Sequence, residues 1–374
     1  MLISNSFDSG NIEVIEATDP SNIKLKIKAD NQSDFYQWFH FRVSGVRDSV
    51  CSFTISNAGG AAYPEGWDGY KVCASYDRET WFRIKTDYNG ESLTWSCDID
   101  QDSIYFAYFA PYSMERHADL IADCANNPLV SSHVLGHTLD GQDMDLLEIG
   151  YGAKGRKVVW MIARQHPGET MAQWWMEGAL ERLLDEDDPV SRALLDKAHF
   201  YIIPNMNPDG SKRGHLRTNA CGANLNREWQ NPSMERSPEV FLTLKKMAET
   251  GVDFHMDVHG DEALPYNFLA GFEGNPGVNA DKVALFEEYQ KTLTALCPDF
   301  QMSNGYDIEA PGAANMTVGT NAVAAAFDCV AMTLEMPFKD NADLPCEDYG
   351  WSPERSRHLA RGCLDALLQV IDKI

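Results

Sequence analysis

The chain has 374 residues, 44% of them hydrophobic, which suits two packed domains better than one. With 56 acidic against 31 basic residues the net charge is −25, which argues against nucleic acid or an anionic membrane as partner, since both require a positive field. No apolar run reaches the ~18 residues of a membrane span, Met1–Ser6 lacks the basic and apolar regions of a secretory signal, and nine cysteines without Cys-x-x-Cys spacing read as reduced thiols, so a cytoplasmic location is expected.

Residues 1–125 hold short runs rich in β-branched and aromatic residues: Ile23–Lys28, Trp38–Val43, Ser52–Ser56, Trp81–Ile84 and Ile104–Phe109. Asp-Gly, Asn-Gly and Gly-Gly pairs lie between several of them. Alternation of apolar and polar side chains predicts an antiparallel β-sandwich with one wet face. From residue 126 to 374 the pattern changes to strands alternating with helices. Strands are predicted at 144–150, 157–164, 198–204, 252–258 and 329–335, and helices at 170–185, 190–197, 238–250, 280–296 and 354–373. This is the pattern of an α/β layer around a mainly parallel or mixed sheet.

Polar residues follow the ends of four of these strands. His166-Pro167-Gly168-Glu169-Thr170 lies between the run Lys157–Arg164 and an amphipathic helix carrying Met171, Trp174, Trp175, Ala179 and Leu183 on one face. Asn205–Gly210 follows the strand ending at Ile203, His259 follows Val252–Val258, and Glu335 ends the run from Cys329. Taken alone, His-x-x-Glu is a common pattern that a surface ion pair or a helix cap explains. Ligands bind at the carboxyl ends of strands in open α/β sheets, however, and four such ends delivering polar groups is a less common coincidence. His166, Glu169 and His259 supply two imidazoles and a carboxylate, a catalytic zinc set with a fourth position left for water. Glu335, at the end of an apolar strand, is a candidate base for that water. The segments Lys212–Asn219 and Asn224–Arg227 form the densest basic patch, and arginine suits a carboxylate or a developing oxyanion.

These motifs, in this order, resemble the zinc carboxypeptidase family: His-Pro-Gly-Glu at 166–169, Pro-x-x-Asn-Pro-Asp-Gly at 204–210, Arg217-Thr-Asn, Asn226-Arg227, His259 and Glu335. Phe35–Phe41 and Phe109–Ser113 resemble the extra N-terminal domain of the cytosolic carboxypeptidase subfamily. The resemblance implies a β-sandwich followed by an eight-stranded mixed sheet with helices on both faces. It implies Zn2+ on His166, Glu169 and His259, Glu335 as general base, and Arg217 polarising the scissile carbonyl. Asn226 and Arg227 would grip the C-terminal carboxylate of a peptide or protein tail, with acidic tails such as Glu suggested by the subfamily. Two positions depart from the family pattern. Asn224 stands where many relatives have an Asp that orients a zinc-bound His. The capping Tyr expected about twenty residues before the base is missing from Gly312–Thr317, and Tyr306 is the nearest candidate.

The expected activity is therefore hydrolysis of the last peptide bond by a zinc metallocarboxypeptidase. The alternatives are a zinc amidohydrolase of the aspartoacylase type, which shares His-x-x-Glu and an Asn-Arg pair, and a non-enzymatic binding module. The N-terminal sandwich and the strand-borne Glu335 favour the peptidase over the first. The intact set of ligands and base favours it over the second.

Overall fold

A computed structural model describes residues 1–374. Residues 2–107 build two five-stranded sheets. One runs Leu2–Ser4, His40–Ser44, Ser103–Ala107, Val72–Ser75, Phe82–Ile84, antiparallel throughout. The other runs Glu13–Glu16, Ile23–Lys26, Ser49–Ile55, Leu93–Ile99, Thr86–Tyr88. Its single parallel pair joins Ile23–Lys26 to Ser49–Ile55, because the chain crosses to the first sheet for His40–Ser44 before returning. The period-2 pattern selects the inner faces. Cys51, Phe53 and Ile55 are buried and alternate with more exposed neighbours, as do Leu93 and Trp95 on the paired strand. Phe53 stacks on Trp95 at 5.0 Å between centroids and meets Phe106 of the other sheet at 4.8 Å, so aromatic rings fill the space between the sheets.

The rest of the chain is built on a seven-stranded mixed sheet in the order Val130–His137, Asp143–Ile149, Ala198–Ile203, Lys157–Ala163, Phe254–Val258, Val330–Glu335, Phe268–Ala270. The four strands from Ala198–Ile203 to Val330–Glu335 are mutually parallel and almost wholly buried, which explains their unbroken apolar runs. The outer strands are antiparallel. Helices Thr170–Leu183, Pro189–Lys197 and Ala280–Leu296 all pack against the last helix, Pro353–Val370. Helix Met114–Ala125 is one that patterning misses, and it packs on the strands Val130–His137 and Asp143–Ile149.

The sheet has one strand fewer than the eight the family resemblance implies. Beyond its short edge strand the chain makes only an isolated bridge, Asn267 to Phe300. Pro298 lacks the N–H a ladder needs, and the Gln301 side chain closes a turn on the N–H groups of Ser303 and Asn304, both at 2.7 Å.

The sandwich lies against the segment that follows the strand Val330–Glu335. Tyr108 stacks on Phe338 at 4.4 Å, and the Arg83 guanidinium donates to the carbonyls of Phe338 at 2.8 Å and Trp351 at 3.1 Å.

Candidate active site

Three neighbouring parallel strands end at one edge of the sheet. After Lys157–Ala163 the chain turns through Arg164, whose φ is 62°. Its fully buried guanidinium donates to Pro167 O at 3.0 Å, Tyr112 O at 2.8 Å and Gln173 Oε1 at 2.6 Å. Arg164 thus anchors the turn that presents His166 and sets Glu169 at the N-cap of the next helix. His259, directly after Phe254–Val258, is fixed by its N–H on Leu334 O at 2.8 Å. Glu335 closes the adjacent strand.

His166, Glu169 and His259 are all buried, and their ligand atoms lie within 4.8 Å of one another. His166 Nδ1 is 2.7 Å from Glu169 Oε1, and His259 Nδ1 is 2.8 Å from Glu169 Oε2. The hydrogen positions follow from the outer contacts. Asn224 Oδ1 accepts the Asn226 backbone N–H at 3.1 Å, which fixes the amide's orientation, so His166 Nε2 is the donor in its 3.0 Å contact with that oxygen. Burial, together with the nearby Arg217, brings the His166 pKa down to about 4, so the ring is neutral at pH 7. Its Nδ1 therefore carries a lone pair facing a carboxylate, an arrangement that calls for a cation between them. On the other side, Asp257 Oδ2 lies 3.0 Å from His259 Nε2 and accepts from Gln165 Nε2 at 2.6 Å. Gln165 Oε1 in turn accepts from Trp229 Nε1 at 2.8 Å. Although burial opposes it, Asp257 and Glu169 together raise the His259 pKa well above the usual value, so this point favours positive charge. The donors and their surroundings fit a zinc ion.

Glu335 is 6% exposed, and its Oε2 has no hydrogen-bond partner. Burial raises its pKa well above the carboxylate range; His259 opposes the shift, while Glu169, Asp261 and Glu262 add to it. Tyr306 donates to Asp261 Oδ2 at 2.6 Å and stands 3.3 Å from Glu335 Oε1. The only Tyr near the expected capping position therefore does reach the site.

A cleft of about 1150 Å³ joins His166, Glu169, Arg217, Asn226, Arg227, Tyr306 and Glu335. Arg217 is half-buried, flanked by the rings of Phe35 at 5.5 Å and Tyr63 at 5.4 Å, and its Nε has no partner. Asn226 Oδ1 accepts the Gly319 N–H at 2.8 Å. Arg227 Nη1 donates to Asn226 O at 2.6 Å, and burial followed by Arg217 lowers its pKa. The other cations of the basic patch go elsewhere. Arg213 pairs with Asp140 at 2.6 Å, and Lys212 lines a separate cleft with Asp8 and Met114. The Asn-Pro-Asp motif fixes the fold locally. Asn207 caps the helix Pro208–Arg213 and donates to Gln165 O at 2.9 Å, while Asp209 accepts from Thr138 Oγ1 at 2.5 Å.

Sequence reasoning missed Asp257, Gln165, Trp229, Asp261, Glu262 and Tyr63. Asp257 could have been found: it is a charged residue inside an apolar parallel strand, two positions before His259 and so on the same face. Tyr63 had no such sign, because it comes from a loop of the sandwich.

A model of the cytosolic carboxypeptidase N-terminal domain matches residues 3–109, and a model of the zinc carboxypeptidases matches residues 118–249. An uncharacterized protein of Zymomonas mobilis is 55% identical over 374 residues, covering 100% of this chain and 97% of that protein. Cytosolic carboxypeptidase 1 of Xenopus laevis is 26% identical over 81% of this chain, but the match spans only 30% of that protein's length. The solved structure of a metallo-carboxypeptidase from Pseudomonas aeruginosa, in complex with (2-guanidinoethylmercapto)succinic acid, is 44% identical with a TM-score of 0.97, covering 100% of both chains.

Proposed function

Because the chain belongs to the zinc carboxypeptidases, metal-dependent peptide hydrolases, and carries the N-terminal domain of their cytosolic branch, we propose that it is a zinc-dependent exopeptidase removing one C-terminal residue per turnover. His166, Glu169 and His259 would hold the ion, the two rings with the Nδ1 atoms that face Glu169. Zinc bound there supplies Lewis acidity toward the scissile carbonyl and lowers the pKa of a water. Asn226 and Arg227 bind the substrate's C-terminal carboxylate, which gives the Arg227 guanidinium an anionic partner. Arg217 donates to the carbonyl oxygen as negative charge develops on it. Glu335, with one oxygen left without a partner, takes a proton from the attacking water and delivers it to the departing amine. Tyr306 stands at the mouth, 52% exposed, as the capping group.

One observation carries this reading: the Nδ1 atoms of His166 and His259 converge on the Glu169 carboxylate at 2.7 and 2.8 Å, in a cleft shared with an unpartnered Glu335 oxygen. Mass spectrometry of peptides incubated with zinc-loaded enzyme tests it. Ladders shortened by single C-terminal residues, abolished by chelator, are expected; a released acyl group with the peptide backbone intact would favour an amidohydrolase instead.

For the terminal side chain we favour a neutral or basic residue over Glu. An acidic side chain would need a cation beyond Arg217 and Arg227, and the cleft's other charged groups are mainly carboxylates, among them Glu65, Asp261, Glu262, Glu273 and Glu309. The ligand named for the Pseudomonas relative joins a guanidino group to carboxylates, the charge pair of a peptide ending in a basic residue.

The same proposal divides the chain into residues 1–125 and 126–374, with helix Met114–Ala125 at the seam. It places the protein in the cytoplasm, since all nine cysteines are free thiols and several curated relatives, among them that of Xenopus laevis, are cytosolic carboxypeptidases. No helix is long and apolar enough to cross a membrane.

A further inference from the structure

The loop carrying Arg217 is held by the N-terminal sheets. Asp30, 3% exposed, accepts the backbone N–H of Leu216 on Oδ1 at 2.7 Å, and on Oδ2 those of Arg217 at 2.8 Å and Thr218 at 2.9 Å. The Thr218 hydroxyl adds a fourth bond at 3.1 Å. Three consecutive N–H groups converging on one carboxylate fix the backbone on both sides of Arg217, and charge-assisted bonds of this kind are roughly twice as strong as neutral ones.

The neighbouring contacts repeat the theme. The Asn31 N–H donates to His215 Nε2 at 3.1 Å, while the other ring nitrogen donates to Thr218 O at 3.0 Å, so one tautomer serves both. Asn31 Nδ2 donates to Ala220 O at 2.7 Å, and Asn11 Nδ2 to Gly214 O at 2.9 Å. Gly214 and Gly222 have φ of 71° and 80°, and a Cβ on them would stand 2.6 Å from Ser9 O and 2.4 Å from Gln32 O. Only glycine allows both that backbone and that approach.

We propose that Asp30 is a positioning residue for catalysis: acting through the Leu216–Thr218 backbone, it fixes where the Arg217 guanidinium stands, while Phe35 and Tyr63 hold that guanidinium between their rings. The proposal rests on the reading of Arg217 as the group that polarises the scissile carbonyl. It gives the sandwich a role in the reaction although it supplies no metal-ligand candidate.

The test is a double-mutant cycle of Asp30→Asn with Arg217→Ala in zinc-loaded, full-length protein. The amide keeps the shape of Asp30 but removes its charge and sets an NH2 against a backbone N–H. Misplacement of a catalytic group by about 1 Å costs on the order of 10²-fold in rate. In the parent, Asp30→Asn is expected to lower kcat by about 10–100-fold, with KM changed less than about 3-fold and zinc content unaltered. In the Arg217→Ala background it should cost no more than about 2-fold, because the residue it positions is gone. An equal loss in both backgrounds, or no loss in the parent, overturns the positioning role. Full kcat in Arg217→Ala alone instead overturns the role of Arg217. Should Asp30→Asn fail to fold, Phe35→Leu enters the same cycle with the same expectations, and an equal loss in both backgrounds again overturns the proposal.

Discussion

Asp257 Oδ2 lies 3.0 Å from Nε2 of His259. The corresponding nitrogen of His166 meets only the neutral oxygen of Asn224, also at 3.0 Å. A carboxylate raises the basicity of a ligating imidazole more than an amide does, and such outer partners typically change metal affinity by about 10–100-fold. Asp257→Asn is therefore expected to weaken zinc binding by about 10–100-fold, and Asn224→Asp to tighten it by up to about 10-fold. Competition against a chromophoric chelator measures both. Unchanged affinity in Asp257→Asn would show that the contact does not support a metal ligand.

Glu335→Gln keeps the side chain's shape but removes its ability to take a proton. Fold and zinc content should be retained, and kcat should fall by about 10²–10⁴-fold. A variant keeping more than about a tenth of the parent's kcat would remove Glu335 from the role of base.

Much of the architecture was legible because local pattern and tertiary environment agree. The strands Lys157–Ala163 and Val330–Glu335 are buried on both faces and read as unbroken apolar runs. Phe53 and Trp95 sit on strands whose alternation gives the sandwich away. The proximity of His166 and Glu169 was legible because one turn holds both. What escaped depends on contacts far apart in the chain. Nothing near Asp30 says that its carboxylate reaches residues 216–218, and nothing near Tyr63 places its ring beside Arg217. The missing eighth strand turns on Pro298 and the side-chain turn at Gln301, which the general family pattern does not convey.

Glu239 offers a test of stability. It is fully buried near the start of helix Pro238–Thr250, with Asn219 Nδ2 at 3.4 Å from each of its oxygens, and burial pushes its pKa up to about 8. The unfolded chain would ionise it near pH 4.5. Between these values the folded state holds the proton that the unfolded state has lost. Its contribution is thus fully present below about pH 4.5 and is lost as the pH rises through about 8. Glu239→Gln should flatten that slope and, at pH 8, stabilise the protein by on the order of 3 kcal/mol. Denaturant melts of both proteins at pH 5 and pH 8 read this out. An equal difference at the two pH values would contradict it.

Peptides identical except for the last residue test the charge of the cleft. Lys or Arg termini should be cleaved with kcat/KM at least about 10-fold above Glu, the gap narrowing as salt rises because the repulsion is partly screened. Preference for Glu at low salt would mean that the acidic lining does not govern choice.

On the proposed reading, Arg227 and Asn226 recognise a free C-terminal carboxylate and make this an exopeptidase. Amidating the peptide's C-terminus removes that charge and leaves the scissile bond intact. With the zinc-loaded parent, kcat/KM on the amide should fall by roughly the 2–5 kcal/mol that follows from leaving one member of a charge pair, enclosed once the substrate is bound, without its partner. Arg227→Ala should lose activity on the acid and discriminate poorly between acid and amide. Equal cleavage of acid and amide by the parent enzyme would show that Arg227 and Asn226 do not read the terminal carboxylate.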